Sequence, residues 1–240
     1  MAMNKVYFVG AGPGDPDLIT VKGMDLVKRA DVLIYAGSLV NPELVARSSA
    51  TMKLNSWGMH LGELLQAMES GIRANKLVVR LHSGDPSLYG AIVEQIAELR
   101  KRGIPAEIIP GVSSLFGAAA ALQTQLTLKG VTDTLIITRP AGLTLASDNL
   151  RELSRFGSTM AIFLGTEKIA DIISRVEYPP DTPVAVVFHA SWKDECIVKG
   201  TVTNIVEKVK KAGIETSALI IIGRVVDPET SQYSRSVLYS

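Results

Sequence analysis

The sequence predicts an α/β fold made of two lobes with mainly parallel sheets. Short β-rich apolar runs alternate with helix-period stripes along the whole chain, which is the pattern of crossover units. The chain has 240 residues, 47% of them hydrophobic, enough to fill a sizeable core. That length suits one large unit or two lobes of about 120 residues each. The polar, glycine-broken segment Gln123 to Asp133 follows the Ala-rich stretch Gly117–Leu122 and marks the boundary, giving lobes 1–125 and 126–240.

The elements follow in order. Val6–Val9 is a strand, stopped by Gly10 and Pro13, and Thr20 is placed to cap the helix after it. Val32–Tyr35 is the second strand. Leu61, Leu64, Leu65, Met68 and Ile72 then fall on one helical face. Leu77–Leu81 is a strand, Leu88, Ile92, Val93, Ile96 and Leu99 form a second helical stripe, and Ala106–Ile109 is the strand that closes the lobe. In the second half the strands are Thr134–Thr138, Thr159–Leu164, Val184–Phe188 and Leu219–Ile222. Before the last of these, Val202, Ile205, Val206 and Val209 make a helix whose wet side carries Lys208, Lys210 and Lys211, with Gly213 as its C-cap. The polar end, Asp227 to Ser240, with spaced Val237, Leu238 and Tyr239, reads as an edge strand or a tail.

Composition excludes several functions. Twenty-five Lys plus Arg against twenty-four Asp plus Glu leave a net charge of +1, too little field to hold a nucleic acid. A single cysteine, Cys196, forms no internal disulfide, and three scattered histidines without a second thiol make no metal site. The apolar runs Val6–Val9 and Ala218–Ile222 are of strand length, far below the ~20 residues of a membrane helix. These features predict a cytoplasmic protein that uses no metal, membrane or nucleic acid.

The chemistry is predicted at the strand ends. Gly10-Ala11-Gly12-Pro13-Gly14-Asp15 is a long turn in which Asp15 stands where a nicotinamide-binding fingerprint needs its third glycine. Tyr35-Ala36-Gly37 lacks the acidic ribose partner, and no Gly-x-x-x-x-Gly-Lys-Ser/Thr segment exists, so dinucleotide and P-loop readings lose their phosphate seats. Arg80-Leu81-His82-Ser83-Gly84-Asp85-Pro86, Pro110-Gly111-Val112-Ser113-Ser114, Leu164-Gly165-Thr166 and His189-Ala190-Ser191 repeat the strand-to-turn design. Loops after parallel strands meet at the carboxyl edge, where ligands bind.

Taken in order, these motifs resemble the tetrapyrrole methylases, and the C-terminal strand Ala218–Ile222 followed by Gly223-Arg224 matches as well. The resemblance covers essentially the whole chain. It implies two α/β lobes with S-adenosylmethionine in the cleft between them, and a homodimer. It further implies that Pro13 lines the cofactor site, that Ser83, Gly84 and Asp85 offer main-chain groups to the methionine portion, and that Leu88 packs nearby. Ser113 and Ser114 would flank the carboxylate or sulfonium end, while Leu164 and Ala190 would wall the adenine. Read without the resemblance, each is a turn or core residue.

Within the family, the uroporphyrinogen-III methylases carry an Asp and a Lys where this chain has Ala36 and Ser56. Tyr35–Asn41, Ser56–Leu61 and His189–Glu195 instead resemble the precorrin-4 C11-methyltransferases of cobalamin synthesis. The expected activity is therefore methylation of C11 of (cobalt-)precorrin-4. The alternatives are another precorrin, uroporphyrinogen-III, or a catalytically silent cofactor-binding relative. Such a carboxylate-rich substrate needs a few placed cations, for which Lys53, Arg80, Lys129, Arg139 and Lys193 are candidates, each equally readable as a solvated surface charge. His60 and Asp85 are the candidate proton handlers, with a surface histidine and a loop-bracing aspartate as their plain readings.

Overall fold

The computed structural model describes residues 5–231 and 233–235, so Val237, Leu238 and Tyr239 lie outside the described residues. The chain forms two compact units that divide between Ser114 and Leu115. That is ahead of the boundary expected from the polar segment 123–133. The reason is the helix α5 (Ser114–Ala121): its Leu115, Ala118 and Ala119, with Leu122, pack into the core of the second unit.

The first unit is a five-stranded sheet of β1 (Val6–Gly10), β2 (Val32–Tyr35), β3 (Met52–Asn55), β4 (Val78–His82) and β5 (Ala106–Ile109), in the order β3-β2-β4-β1-β5. Every pairing is parallel. Alternation along the strands sends Val9, Leu33, Val79 and Leu81 to one face, against α1 (Val21–Arg29) and α2 (Pro42–Ala46). Val6, Phe8, Val32, Ile34 and Val78 go to the other, against α3 (Leu61–Arg73) and α4 (Ile92–Lys101). Thr20 Oγ1 accepts the Gly23 N–H at 3.1 Å, which caps α1.

The second unit holds α5, β6 (Leu135–Thr138), α6 (Leu150–Ser154), β7 (Thr159–Ile162), α7 (Ile169–Arg175), β8 (Pro183–Phe188), β9 (Cys196–Thr201), α8 (Ile205–Lys211) and β10 (Ala218–Ile222). Its sheet runs β6-β7-β10-β8-β9. Only β6 and β7 pair in parallel; β10 lies antiparallel between β7 and β8, and β9 returns antiparallel along β8. This sheet therefore departs from the mainly parallel arrangement expected of it. The short segment 189–195 between β8 and β9 permits a hairpin and leaves no room for a crossover helix.

Candidate active site

In the first sheet β1 and β4 are neighbours, yet the chain leaves them for opposite sides, β1 toward β2 and β4 toward β5. Their carboxyl ends are thus a topological switch point. The loops there are bonded to each other. The Ala11 N–H donates to His82 O at 2.7 Å, and Gly12 and Gly84 exchange N–H···O bonds at 3.2 and 2.8 Å. A Cβ on Gly10 would stand 2.5 Å from Gly111 Cα and 2.7 Å from Gly84 O, so the backbone approach needs glycine at 10 and 111. Gly84 lies against Ser113 Cα and Ser114 N. Pro13, Ser83, Gly84, Asp85, Ser113 and Ser114 therefore come together at one edge, with Leu88 half-buried in the following turn.

Asp85 fastens this edge. One carboxylate oxygen accepts the Gly111 N–H at 2.8 Å; the other accepts the Ser87 N–H at 2.8 Å and the Ser87 hydroxyl. Partial burial works to raise its pKa, but the Ser87 hydroxyl and the Gly111 and Ser87 N–H groups outweigh it and hold the carboxyl below its ordinary value. Both oxygens being engaged, Asp85 braces the loops and is not a free proton acceptor. His60 is exposed at the N-cap of α3, where its own N–H donates to Glu63 at 2.8 Å.

Two segments singled out in the sequence meet the same edge. Asn41 Nδ2 donates to Gly14 O at 2.9 Å while its Oδ1 accepts the Glu43 N–H and caps α2. Ser56 donates to Tyr35 O through both its N–H and its hydroxyl, at 2.9 and 3.0 Å. Trp57 stands beside them, 78% exposed. The bridging role of Asn41 was not read from the sequence; the signal was Asn-Pro-Glu, an N-cap followed by Pro at the first helical position.

In the second unit β6, β7 and β8 end at one edge, where Arg139, Leu164, Ala190 and Lys193 stand. Leu164 is 67% exposed on a left-handed backbone, φ 53°, while Ala190 is buried. Arg139 is half-buried, and its guanidinium donates to Thr144 Oγ1 at 2.7 Å. Lys53 is exposed on the edge strand β3, and the exposed Lys129 donates to Arg235 O at 3.0 Å.

Arg80 is no surface anchor. It lies in β4, a central strand, and is only 6% exposed. Its Nε and Nη1 have no protein partner, nor do His82 Nε2 and Gln95 Oε1. Burial lowers the Arg80 pKa to about 10. Burial first, then the Arg80 charge, lowers that of His82 to about 3. Among the described residues no His, Cys, Asp and Glu cluster is grouped to hold a metal, and no helix is long and apolar enough to cross a membrane.

Residues 5–206 match the family of tetrapyrrole (corrin/porphyrin) methylases. A cobalt-precorrin-4 C(11)-methyltransferase from Methanocaldococcus jannaschii is 53% identical, across 96% of this chain and 92% of its own length. The solved structure of a cobalt precorrin-4 methyltransferase is 42% identical with a TM-score of 0.91, covering 95% of this chain and 98% of that one. A uroporphyrin-III C-methyltransferase from Thermus thermophilus, solved with S-adenosylhomocysteine, is 30% identical with a TM-score of 0.80, covering 93% and 94%. With motif, fold and likeness agreeing over nearly its whole length, the chain belongs to the tetrapyrrole methylases.

Proposed function

We propose that the chain is an S-adenosylmethionine-dependent methyltransferase that methylates C11 of (cobalt-)precorrin-4 in cobalamin synthesis. The observation that carries this reading is the placement of 35–41 and 56–60: the segments that part company with the uroporphyrinogen-III methylases are bonded to the Gly10–Asp15 loop and to each other. The higher identity to the precorrin-4 enzymes than to the uroporphyrin-III relative supports the same acceptor.

The first unit's donors and acceptors fit the cofactor, being main-chain groups packed without side-chain bulk where Gly10, Gly84 and Gly111 meet. When bound, the cofactor supplies a methyl group already activated by its sulfonium, so the protein's task is chiefly alignment. The resemblance assigns the methionine portion to Pro13 and Ser83–Asp85, its charged end to Ser113 and Ser114, and the adenine to Leu164 and Ala190. Asp85 keeps the loops from spreading. Lys193 and Arg139, at the carboxyl edge of the second unit, are the cations this reading gives to substrate carboxylates. Function as a homodimer in the cytoplasm belongs to this reading and rests on the resemblance. Titration calorimetry with S-adenosylhomocysteine is expected to show one site per chain, and an Asp85→Ala variant to bind about tenfold more weakly; absence of binding by the unaltered protein contradicts the reading.

A further inference from the structure

The segment between β8 and β9 holds a histidine–carboxylate pair that the alignment function does not use. His189 Nδ1 lies 3.1 and 3.0 Å from the two oxygens of Asp194. An ionised carboxylate only accepts, so this pairing places a proton on Nδ1, and in the neutral ring the acceptor lone pair is then that of Nε2. The ring stacks on Phe188 at 3.8 Å between centroids and on Trp192 at 4.9 Å, which fixes its plane. Its main chain is pinned as well: His189 O accepts the Trp192 N–H at 2.9 Å, and Glu195 accepts the Ser191 N–H at 2.7 Å.

The backbone here is strained. His189 and Ser191 have φ of 47° and 67°, left-handed values that cost non-glycine residues of order 1–3 kcal/mol each and gather at functional sites. They flank Ala190 and share the carboxyl edge with Leu164, itself left-handed. The His189 side chain remains 24% exposed. Of the other candidates, His82 is buried and both Asp85 oxygens accept bonds, while His60 is exposed at the start of α3 with no carboxylate among the described residues orienting its ring. Among the described residues, His189 is the histidine whose ring is held by a carboxylate.

We propose that His189 is the proton acceptor of the methylation and that Asp194 is its positioning residue; this rests on the C11-methyltransferase reading above. As C11 takes the methyl group, a C–C bond forms, the C–S bond breaks with its electron pair left on sulfur, and the positive charge passes to the macrocycle. Loss of a macrocycle proton to His189 Nε2 discharges it. The imidazolium so formed stays paired with Asp194 until it gives the proton to water.

The test uses the full chain with S-adenosylmethionine and precorrin-4, and two variants. His189→Asn suits the left-handed backbone and keeps a donor for Asp194, but accepts no proton. His189→Ala leaves space for added imidazole. Both are expected to lose about 100-fold in kcat, in the range of general-base removal. Their affinity for S-adenosylhomocysteine is expected to stay within about twofold, with imidazole restoring part of the rate in His189→Ala. In 15N-histidine NMR spectra of the unaltered protein, His189 is expected to carry its proton on Nδ1, a preference lost in Asp194→Asn. A kcat within about threefold of the unaltered enzyme, a loss that imidazole does not restore, or a proton resting on Nε2 overturns the assignment alone. Inactivity of the unaltered protein on precorrin-4 overturns the functional reading and the assignment with it.

Discussion

Arg80 and His82 sit side by side on the strand that delivers the central loop, buried and without a carboxylate partner. His82 is held neutral, its pKa near 3 against an ordinary 6.5. Between those values the unfolded chain takes up a proton that the folded chain refuses, so stability falls as pH drops from about 6.5 toward 3. The slope from this residue reaches about 1.4 kcal/mol per pH unit. Urea unfolding at pH 7 and pH 5 is expected to show a smaller acid loss for His82→Gln than for the unaltered protein; equal losses contradict the account. The burial of Arg80 was readable in principle. It stands between Val78, Val79 and Leu81, and a lone cation inside an apolar strand run shares that strand's burial more often than a surface anchor does. The bonds of Asp85 were partly readable, because turn aspartates bond main-chain N–H groups, but the bond to Gly111 joins residues 26 apart and no local pattern encodes it.

At the scale of elements, the eight strands expected from apolar runs all form, and the two that were missed are both sheet edges. β3, Met-Lys-Leu-Asn, is largely exposed, and β9 carries Lys199 and Gly200 in its middle. An edge strand is covered on fewer sides and shows little apolar pattern, and lysine on it discourages pairing with other chains. The antiparallel seat of β10 was equally hidden, because strand direction depends on the connections and not on composition. The loops were legible where glycine was required. Gly111→Ala would bring a Cβ into Gly84 O and against Gly10. It is expected to cost about 1–3 kcal/mol of stability, as overpacking does, and to weaken S-adenosylhomocysteine binding more than a Gly62→Ala control, where a Cβ meets nothing within 4 Å. Equal effects on binding at the two positions contradict the role given to the loops.

For the whole molecule, the near-zero net charge is in keeping with a carboxylate-rich substrate met by a few placed cations and no broad positive field. Two units were legible from the polar break, but their division was displaced because an Ala-rich helix gives no sign of which core it joins. Left-handed non-glycine residues recur in the loops at each unit's carboxyl edge, Tyr89 and Ala91 in the first and Leu164, His189, Ser191 and Ser217 in the second, while Asn75 and Gln123 follow helices elsewhere. Part of the backbone strain thus falls on the loops assigned to ligands. The central claim is the position of the transferred carbon. With S-adenosylmethionine labelled with 13C in its methyl group and precorrin-4 as acceptor, the account predicts one labelled methyl in the NMR spectrum of the product, bonded to C11. Label at another ring carbon, or transfer to uroporphyrinogen-III in preference to precorrin-4, would contradict it.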